Sequence, residues 1–166
     1  MYFDGCETLN DLKSEYRRLI LMNHPDVGGS EETMKAINAE YDRVHTRLAA
    51  DTNRRAESDP HVRKTTEKPE EFREILEKLL RIESITVELC GSWLWISGDT
   101  RPHRDELKAA GCRWSPKKKM WSWHHPEDVS HWYRGSRSMS EIRDKYGSTR
   151  FDSRGGQMAR RDRRDA

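Results

Sequence analysis

The apolar positions of the first fifty residues repeat at helical spacing and predict two helices. From Thr8, a suitable N-cap residue, apolar side chains recur every three or four residues. Pro25 disfavours helical geometry at the residue before it, so the first helix should end near Asn23. The same spacing resumes after Ser30, which can cap a second helix. The pattern therefore predicts a helical hairpin over residues 1–50.

The pattern changes along the remainder of the chain. Residues 51–68 have no apolar stripe, which indicates a polar linker that is partly helical at its start. Pro69 opens a further helix, and the apolar period then falls from 3.6 to 2 around Gly91 and again around "PKKK". These alternations predict two β-hairpins separated by short helices, so residues 69–134 should form a small α+β module. Residues 135–166 contain one short helical candidate and are otherwise predicted to be a basic, largely disordered tail.

Composition narrows the class of protein. Charged residues make up 36% of the chain and hydrophobic residues 33%, which favours small modules joined by solvated segments. The net charge rises from −3 over residues 1–50 to +4 over residues 135–166, which is compatible with nucleic-acid binding. No apolar stretch is long enough for a membrane span, and the start of the chain lacks the pattern of a signal peptide. The three cysteines form no CxxC pair, so a cytoplasmic protein without a bound metal or other cofactor is predicted.

The tryptophans concentrate in the predicted α+β module. Alternation places Trp93 and Trp95 on one face of their strand, and Trp121 and Trp123 on one face of theirs. Nearby cations are Arg113, Lys117, Lys118 and Lys119. Aromatic side chains interleaved with cations suit single-stranded nucleic acid, whose bases stack and whose phosphates pair with Lys and Arg. The alternative is that these rings form a core covered by flanking helices, because a small sheet needs large side chains to be stable.

The break between the first two helices carries polar chemistry. It reads "HPDVGGS", and its proline and glycines explain a turn without any function. The face of the first helix opposite its apolar stripe carries Lys13, Arg17 and Arg18, and Asp26 follows in the turn. Such a cationic face, if exposed, would steer an acidic partner towards the turn.

The stretch "LKSEYRRLILMNHPDVGGSEETMKAINAEYDRV" resembles the J domain of DnaJ-type co-chaperones through its second helix, loop and third helix. The resemblance covers about residues 8–48. It implies a DnaK-type ATPase chaperone as partner, contacted by His24, Pro25, Asp26, Lys13, Tyr16, Arg17 and Arg18. The tryptophan-rich segment is similar to a carboxyl-terminal module of short bacterial J-domain proteins from phage- or plasmid-like elements.

Two features depart from the family pattern. Seven residues precede Thr8 where the family has a first helix, and Asn23 stands where the family often has a cation. Tyr2, Phe3 and Cys6 could replace the missing helix as a short hydrophobic flap.

Two functions remain open at this point. The first is a co-chaperone that stimulates ATP hydrolysis by a DnaK-type chaperone and directs it to a protein client held by the tryptophan-rich module. The alternative is a nucleic-acid-binding protein of a phage- or plasmid-like element, with a structural or vestigial hairpin. An enzyme is not predicted, because no nucleotide loop, nucleophile motif or pair of catalytic carboxylates is present.

Overall fold

A computed structural model describes residues 1–128, 136–152 and 160–161 and has the predicted α+β class. The chain divides into two compact units, a helical unit, Met1–Glu71, and a sheet unit, Phe72–Ala166. Among the described residues the helices are α1 (Leu9–Asn23), α2 (Glu31–Ser58), α3 (Pro69–Leu80), α4 (Arg104–Ala109) and α5 (Met139–Tyr146). The strands are β1 (Ile85–Cys90), β2 (Trp93–Gly98), β3 (Arg113–Ser115), β4 (Met120–Trp123), β5 (Ser148–Asp152) and β6 (Arg160–Arg161).

The two helices of the helical unit form where the periodicity predicts them. Thr8 caps α1, because its Oγ1 accepts the backbone N–H of Asp11 at 3.2 Å. Helix α2 continues to Ser58, so the start of the segment predicted as a linker is helical, as expected. That extension contains no glycine or proline before Pro60, so no residue in it breaks the helix.

The ring of Phe3 is part of the core of the helical unit. Its side chain is 4% exposed, and its ring lies 6.5 Å from that of Tyr16 and 6.0 Å from that of Tyr41. Glu40 accepts the backbone N–H groups of Tyr2 at 3.0 Å and Phe3 at 3.4 Å, which fixes this short segment against α2. Tyr2 itself remains 39% exposed, so Phe3 is the residue of the proposed flap that fills the core.

The strands of the sheet unit form one antiparallel sheet in the order β3-β4-β2-β1-β5-β6. Both predicted hairpins are present, as β1–β2 and β3–β4. One face of the sheet carries Val87 and Leu94, and α3 lies on this face with the Phe72 ring 5.9 Å from the Trp123 ring. The buried side of α3 contributes Phe72, Ile75, Leu76 and Leu79.

The sheet unit extends beyond the boundary predicted at residue 134. Strand β5 pairs with β1, and its Phe151 is buried, so the prediction of a largely disordered tail is wrong for this segment. Helix α5 starts in a capping box between Ser138 and Glu141 and covers the second face of the sheet. The helix predicted to close the module is present as a 3-10 turn, Pro126–Asp128, and the remainder of that prediction, residues 129–135, lies outside the described residues.

Candidate functional site

The turn between α1 and α2 is held by hydrogen bonds among its own residues. His24 caps a single 3-10 turn, Pro25–Val27, because its Nδ1 accepts the backbone N–H of Asp26 at 3.2 Å. The His24 side chain is 11% exposed, whereas the Asp26 side chain is 55% exposed. His24 therefore positions the turn, and Pro25 and Asp26 are the residues that the turn presents to solvent.

Two glycines are required by the backbone path of this turn. Gly28 has a φ of +86°, in the left-handed region, and its N–H donates to the carbonyl of Pro25 at 3.0 Å. Gly29 approaches α1 so closely that a Cβ atom would lie 1.9 Å from the carbonyl oxygen of Asn23. Its N–H donates to the carbonyl of His24 at 3.0 Å. The glycine pair thus fixes the turn against the end of α1.

Lys13 and Arg17 do not form the solvent-exposed face that the sequence predicts. Lys13 Nζ lies 2.5 Å from one carboxylate oxygen of Glu67, and Arg17 Nη2 lies 2.6 Å from the other. These three side chains are each at most 4% exposed, so the ion pairs are shielded from water. The prediction was wrong because the periodicity of α1 cannot reveal a carboxylate that arrives fifty residues later in the chain.

The two other residues predicted on α1 have different surroundings. Tyr16 is 1% exposed, stacks on Tyr41 with ring centroids 3.7 Å apart, and donates its hydroxyl hydrogen to Asn38 at 2.9 Å. It is a core residue, so its assignment as a chaperone contact is wrong; its position in the apolar stripe explains the burial. The Arg18 side chain is 42% exposed and pairs with Glu15, so it is the accessible member of the predicted cations.

The four tryptophans predicted as a nucleic-acid surface lie on opposite faces of the sheet. The register pairs Leu94 with Trp123, so Trp121 and Trp123 share the face of Leu94, and Trp93 and Trp95 point to the other face. Trp95 and Trp121 are 4% and 5% exposed. The alternative of a hydrophobic core is therefore the correct one for these two residues, and the prediction of a shared binding face was wrong.

The remaining two of these tryptophans already contact protein rings. Trp93 is half-buried, with its ring 3.9 Å from that of His124 and 5.7 Å from that of Trp95. Trp123 is half-buried against Phe72. Their ring faces are thus partly used within the sheet unit, which makes them poor platforms for a base.

Trp114 is an exposed aromatic residue that the sequence pattern did not mark as a site. It lies on β3, at an edge of the sheet, with 47% of its surface exposed and its ring edge-on to Trp121 at 5.6 Å. The sequence could not mark Trp114 because it does not reveal that β3 lies at the edge of the sheet. Trp114 supplies the open ring face that Trp93, Trp95, Trp121 and Trp123 lack.

The hairpin that carries Trp114 is strongly cationic. We call residues 113–123 the basic hairpin. No Asp or Glu occurs from Leu107 to Pro126, whereas the cations in this range are Lys108, Arg113, Lys117, Lys118 and Lys119. Lys118 lies over the Trp95 ring, 5.3 Å from its centroid, and Lys119 has a left-handed φ of +53°.

Glu88 forms a buried ionic cluster on the second face of the sheet. Its side chain is 1% exposed and accepts two hydrogen bonds from Arg143, at 2.6 and 2.8 Å, and one from Ser148 at 2.5 Å. Burial alone would raise the pKa of Glu88, but the hydrogen bonds from Arg143 and Ser148 outweigh burial and hold the pKa below its ordinary value. The cluster ties α5 and β5 to the sheet.

The cysteines of the sheet unit are buried thiols. Burial is the main cause that raises the pKa of Cys90 to about 12, and the neighbouring Glu88 carboxylate adds to it. Burial likewise raises the pKa of Cys112 to about 12. Both thiols are therefore protonated at neutral pH, and neither is an activated nucleophile.

The fold and these sites define an α+β protein in which a helical hairpin with an exposed turn precedes an antiparallel sheet with a basic edge hairpin. Comparison with protein-family models, with curated proteins and with solved structures gives no match for this chain. Among the described helices, none combines the length and apolar character needed to cross a membrane.

Proposed function

We propose that the chain is a J-domain-type co-chaperone that binds a DnaK-type ATPase chaperone through the turn between α1 and α2 and stimulates its ATP hydrolysis. Pro25 and Asp26 contact the chaperone, Arg18 adds an exposed cation on α1, and His24 positions the turn. The sheet unit holds a protein client. The chain itself catalyses no reaction, and it acts in the reducing cytoplasm, where its cysteines stay thiols.

One observation carries this proposal: an exposed proline and carboxylate stand on a turn that leaves them little freedom. The side chain of His24 caps the turn, and Gly29 closes it against Asn23 at a distance that excludes any side chain. These contacts order the turn before any partner binds. Preorganised polar groups lose little entropy on binding, which suits a recognition site.

Stimulated ATP hydrolysis tests the proposal directly. Addition of the purified chain to a DnaK-type chaperone and ATP should raise the rate of hydrolysis. Arg18→Glu should weaken the apparent affinity about tenfold, the equivalent of about 1.4 kcal/mol of charge attraction. Arg47→Glu, which changes an exposed cation on α2, is the matched control and should behave as the wild type. A hydrolysis rate that does not change when the chain is added would rule out the proposal.

A second candidate function is the binding of single-stranded nucleic acid by the basic hairpin. The specific observation is the exposed ring of Trp114 within a stretch that has cations and no acidic residue. Arg113, the cation on the edge strand β3, can also protect against unwanted strand pairing, but that role does not call for an exposed indole. A ring that stacks on a base and side chains that pair with phosphates account for both features.

Fluorescence anisotropy with a labelled oligothymidine tests this candidate. Trp114→Ala should weaken binding by about 1–3 kcal/mol, the usual contribution of one stacked base. Tyr146→Ala is the matched control, because Tyr146 is equally exposed, at 47%, and lies outside the basic hairpin. Replacement of Lys117 and Lys119 by Gln should lower the slope of log affinity against log salt by roughly 0.7 for each phosphate that the variant no longer neutralises. Absence of binding at low salt, or equal weakening by the two aromatic variants, would remove this candidate.

A further inference from the structure

We propose that Glu67 competes internally with the chaperone: it holds Lys13 and Arg17 in the free protein and leaves them when the DnaK-type chaperone binds. The inference rests on the proposed co-chaperone function, since it concerns the regulation of that same site. It predicts that the chaperone can reach Lys13 and Arg17 of α1 in only a fraction of the free molecules, which weakens binding.

The geometry shows one carboxylate satisfying two cations at once. Lys13 and Arg17 are four residues apart on α1, so they lie one turn apart on the same face of the helix. Glu67 uses one carboxylate oxygen for each of them, at 2.5 and 2.6 Å. The same two cations are therefore built to receive a carboxylate, and an acidic surface on a partner would need to displace the internal one.

The segment that supplies Glu67 is suited to release. Residues 59–68 connect α2 to α3 outside the helices, and Glu67 is the buried side chain among them, since its neighbours are exposed or half-exposed. The contact of this segment with α1 therefore depends on the charge of Glu67 more than on burial of apolar surface. The attraction within a buried ion pair is largely offset by the loss of water around the charges. Release would return all three charges to water, so exchange of Glu67 for a partner carboxylate requires little net free energy.

The expected gain in chaperone affinity when Glu67 loses its charge depends on the fraction of molecules in which the Glu67 ion pairs are open. The apparent affinity of a ligand falls in proportion to the fraction of protein that is competent to bind it. If these ion pairs are closed in about nine molecules of ten, their removal should increase the apparent affinity about tenfold.

The closing experiment compares the wild type with Glu67→Gln in the stimulated ATPase assay. Gln keeps the size of the side chain and removes its charge, so the concentration for half-maximal stimulation should fall about tenfold. Glu70→Gln is the matched control, because Glu70 is an exposed carboxylate three residues away, and it should match the wild type. Equal half-maximal concentrations for wild type and Glu67→Gln, with normal stimulation by both, would overturn the Glu67 inference and leave the co-chaperone function standing. Absence of stimulation by both proteins would overturn both.

Hydrogen exchange of the wild-type chain keeps the inference falsifiable if Glu67→Gln does not fold. With saturating chaperone, the backbone amides of residues 59–68 should exchange faster than in the free protein, because the segment has left α1. The amides of α1 should become slower, since the chaperone covers them. Unchanged or slower exchange over residues 59–68 in the bound protein would contradict the release of Glu67.

Discussion

The Phe3→Ala variant should lose about 3–5 kcal/mol of the free energy of unfolding of the helical unit, the usual cost of removing a buried aromatic ring. Phe3 is 4% exposed and contacts the rings of Tyr16 and Tyr41. Whole domains are stable by only about 5–15 kcal/mol, so a decrease of this size would remove a large share of the stability of the helical unit. The effect is large because the Phe3 ring is almost fully buried against two other buried rings.

Urea unfolding followed by far-ultraviolet circular dichroism measures this decrease in stability, and hydrogen exchange of α1 and α2 assigns it to the helical unit. Tyr2→Ala is the matched control, because Tyr2 is the adjacent aromatic residue and is 39% exposed. It should change the free energy of unfolding by less than about 1 kcal/mol. Equal stability of Phe3→Ala and Tyr2→Ala would show that Phe3 does not complete the core.

The second large effect is expected for Arg143→Ala in the sheet unit, which should cost about 3 kcal/mol of stability. Removal of one partner from a buried ion pair typically costs about 3–5 kcal/mol, because the other charge stays buried without compensation. We expect the lower end of that range, since the Arg143 side chain is 32% exposed and Arg150 remains 3.5 Å from the Glu88 carboxylate. Arg143→Lys should recover only part of the stability, because lysine cannot make the two parallel hydrogen bonds.

The pH dependence of this effect provides an independent check. In the wild type the folded-state pKa of Glu88 is below the ordinary value of 4.5, so its contribution to stability is present above that value and disappears as the pH falls through the folded-state pKa. Arg143→Ala removes the main partner that lowers the pKa of Glu88, so we expect this pKa to be higher in the variant than in the wild type and acid to relieve the buried charge. The difference between the two proteins should shrink below a pH of about 4.5 in urea unfolding. Lys108→Ala, which removes an exposed cation on α4, should leave the profile unchanged.

The local features of the fold were predictable from the sequence. The helical periodicity located the ends of α1 within a residue, and the proline before Asp26 and the glycines after it marked the turn. The change of period to 2 located both hairpins of the sheet. These patterns depend on the spacing of nearby residues and not on their total number, so they are recognisable even in a chain that is only 33% hydrophobic.

The features that the sequence did not reveal all depend on distant contacts. Lys13 and Arg17 had the pattern of an exposed face, and their burial follows from Glu67, which lies fifty residues beyond Arg17. Glu88 had the pattern of a solvent-facing strand residue, and its burial follows from Arg143 on α5. In both cases a charged side chain became buried because a partner of opposite charge arrived from another element.

The tryptophans show the same limit for strand register. The sequence predicts which residues of one strand share a face, but it does not say which face of the neighbouring strand they meet. The observed register sets Trp95 opposite Ser122 and Trp121 opposite Ile96, which places the two tryptophan pairs on opposite faces of the sheet. It also leaves Trp114 on the edge strand, where its ring is exposed.

The most direct test of the central claim is the rate of ATP hydrolysis by a DnaK-type chaperone in the presence of wild type, Asp26→Asn and Asp51→Asn. The control suits the comparison, because the Asp51 side chain is 50% exposed and that of Asp26 is 55% exposed. Both substitutions keep the size of the side chain and remove its charge. If the turn is the chaperone contact, wild type and Asp51→Asn will stimulate hydrolysis equally and Asp26→Asn will not. Equal stimulation by Asp26→Asn, or none by the wild type, would contradict it.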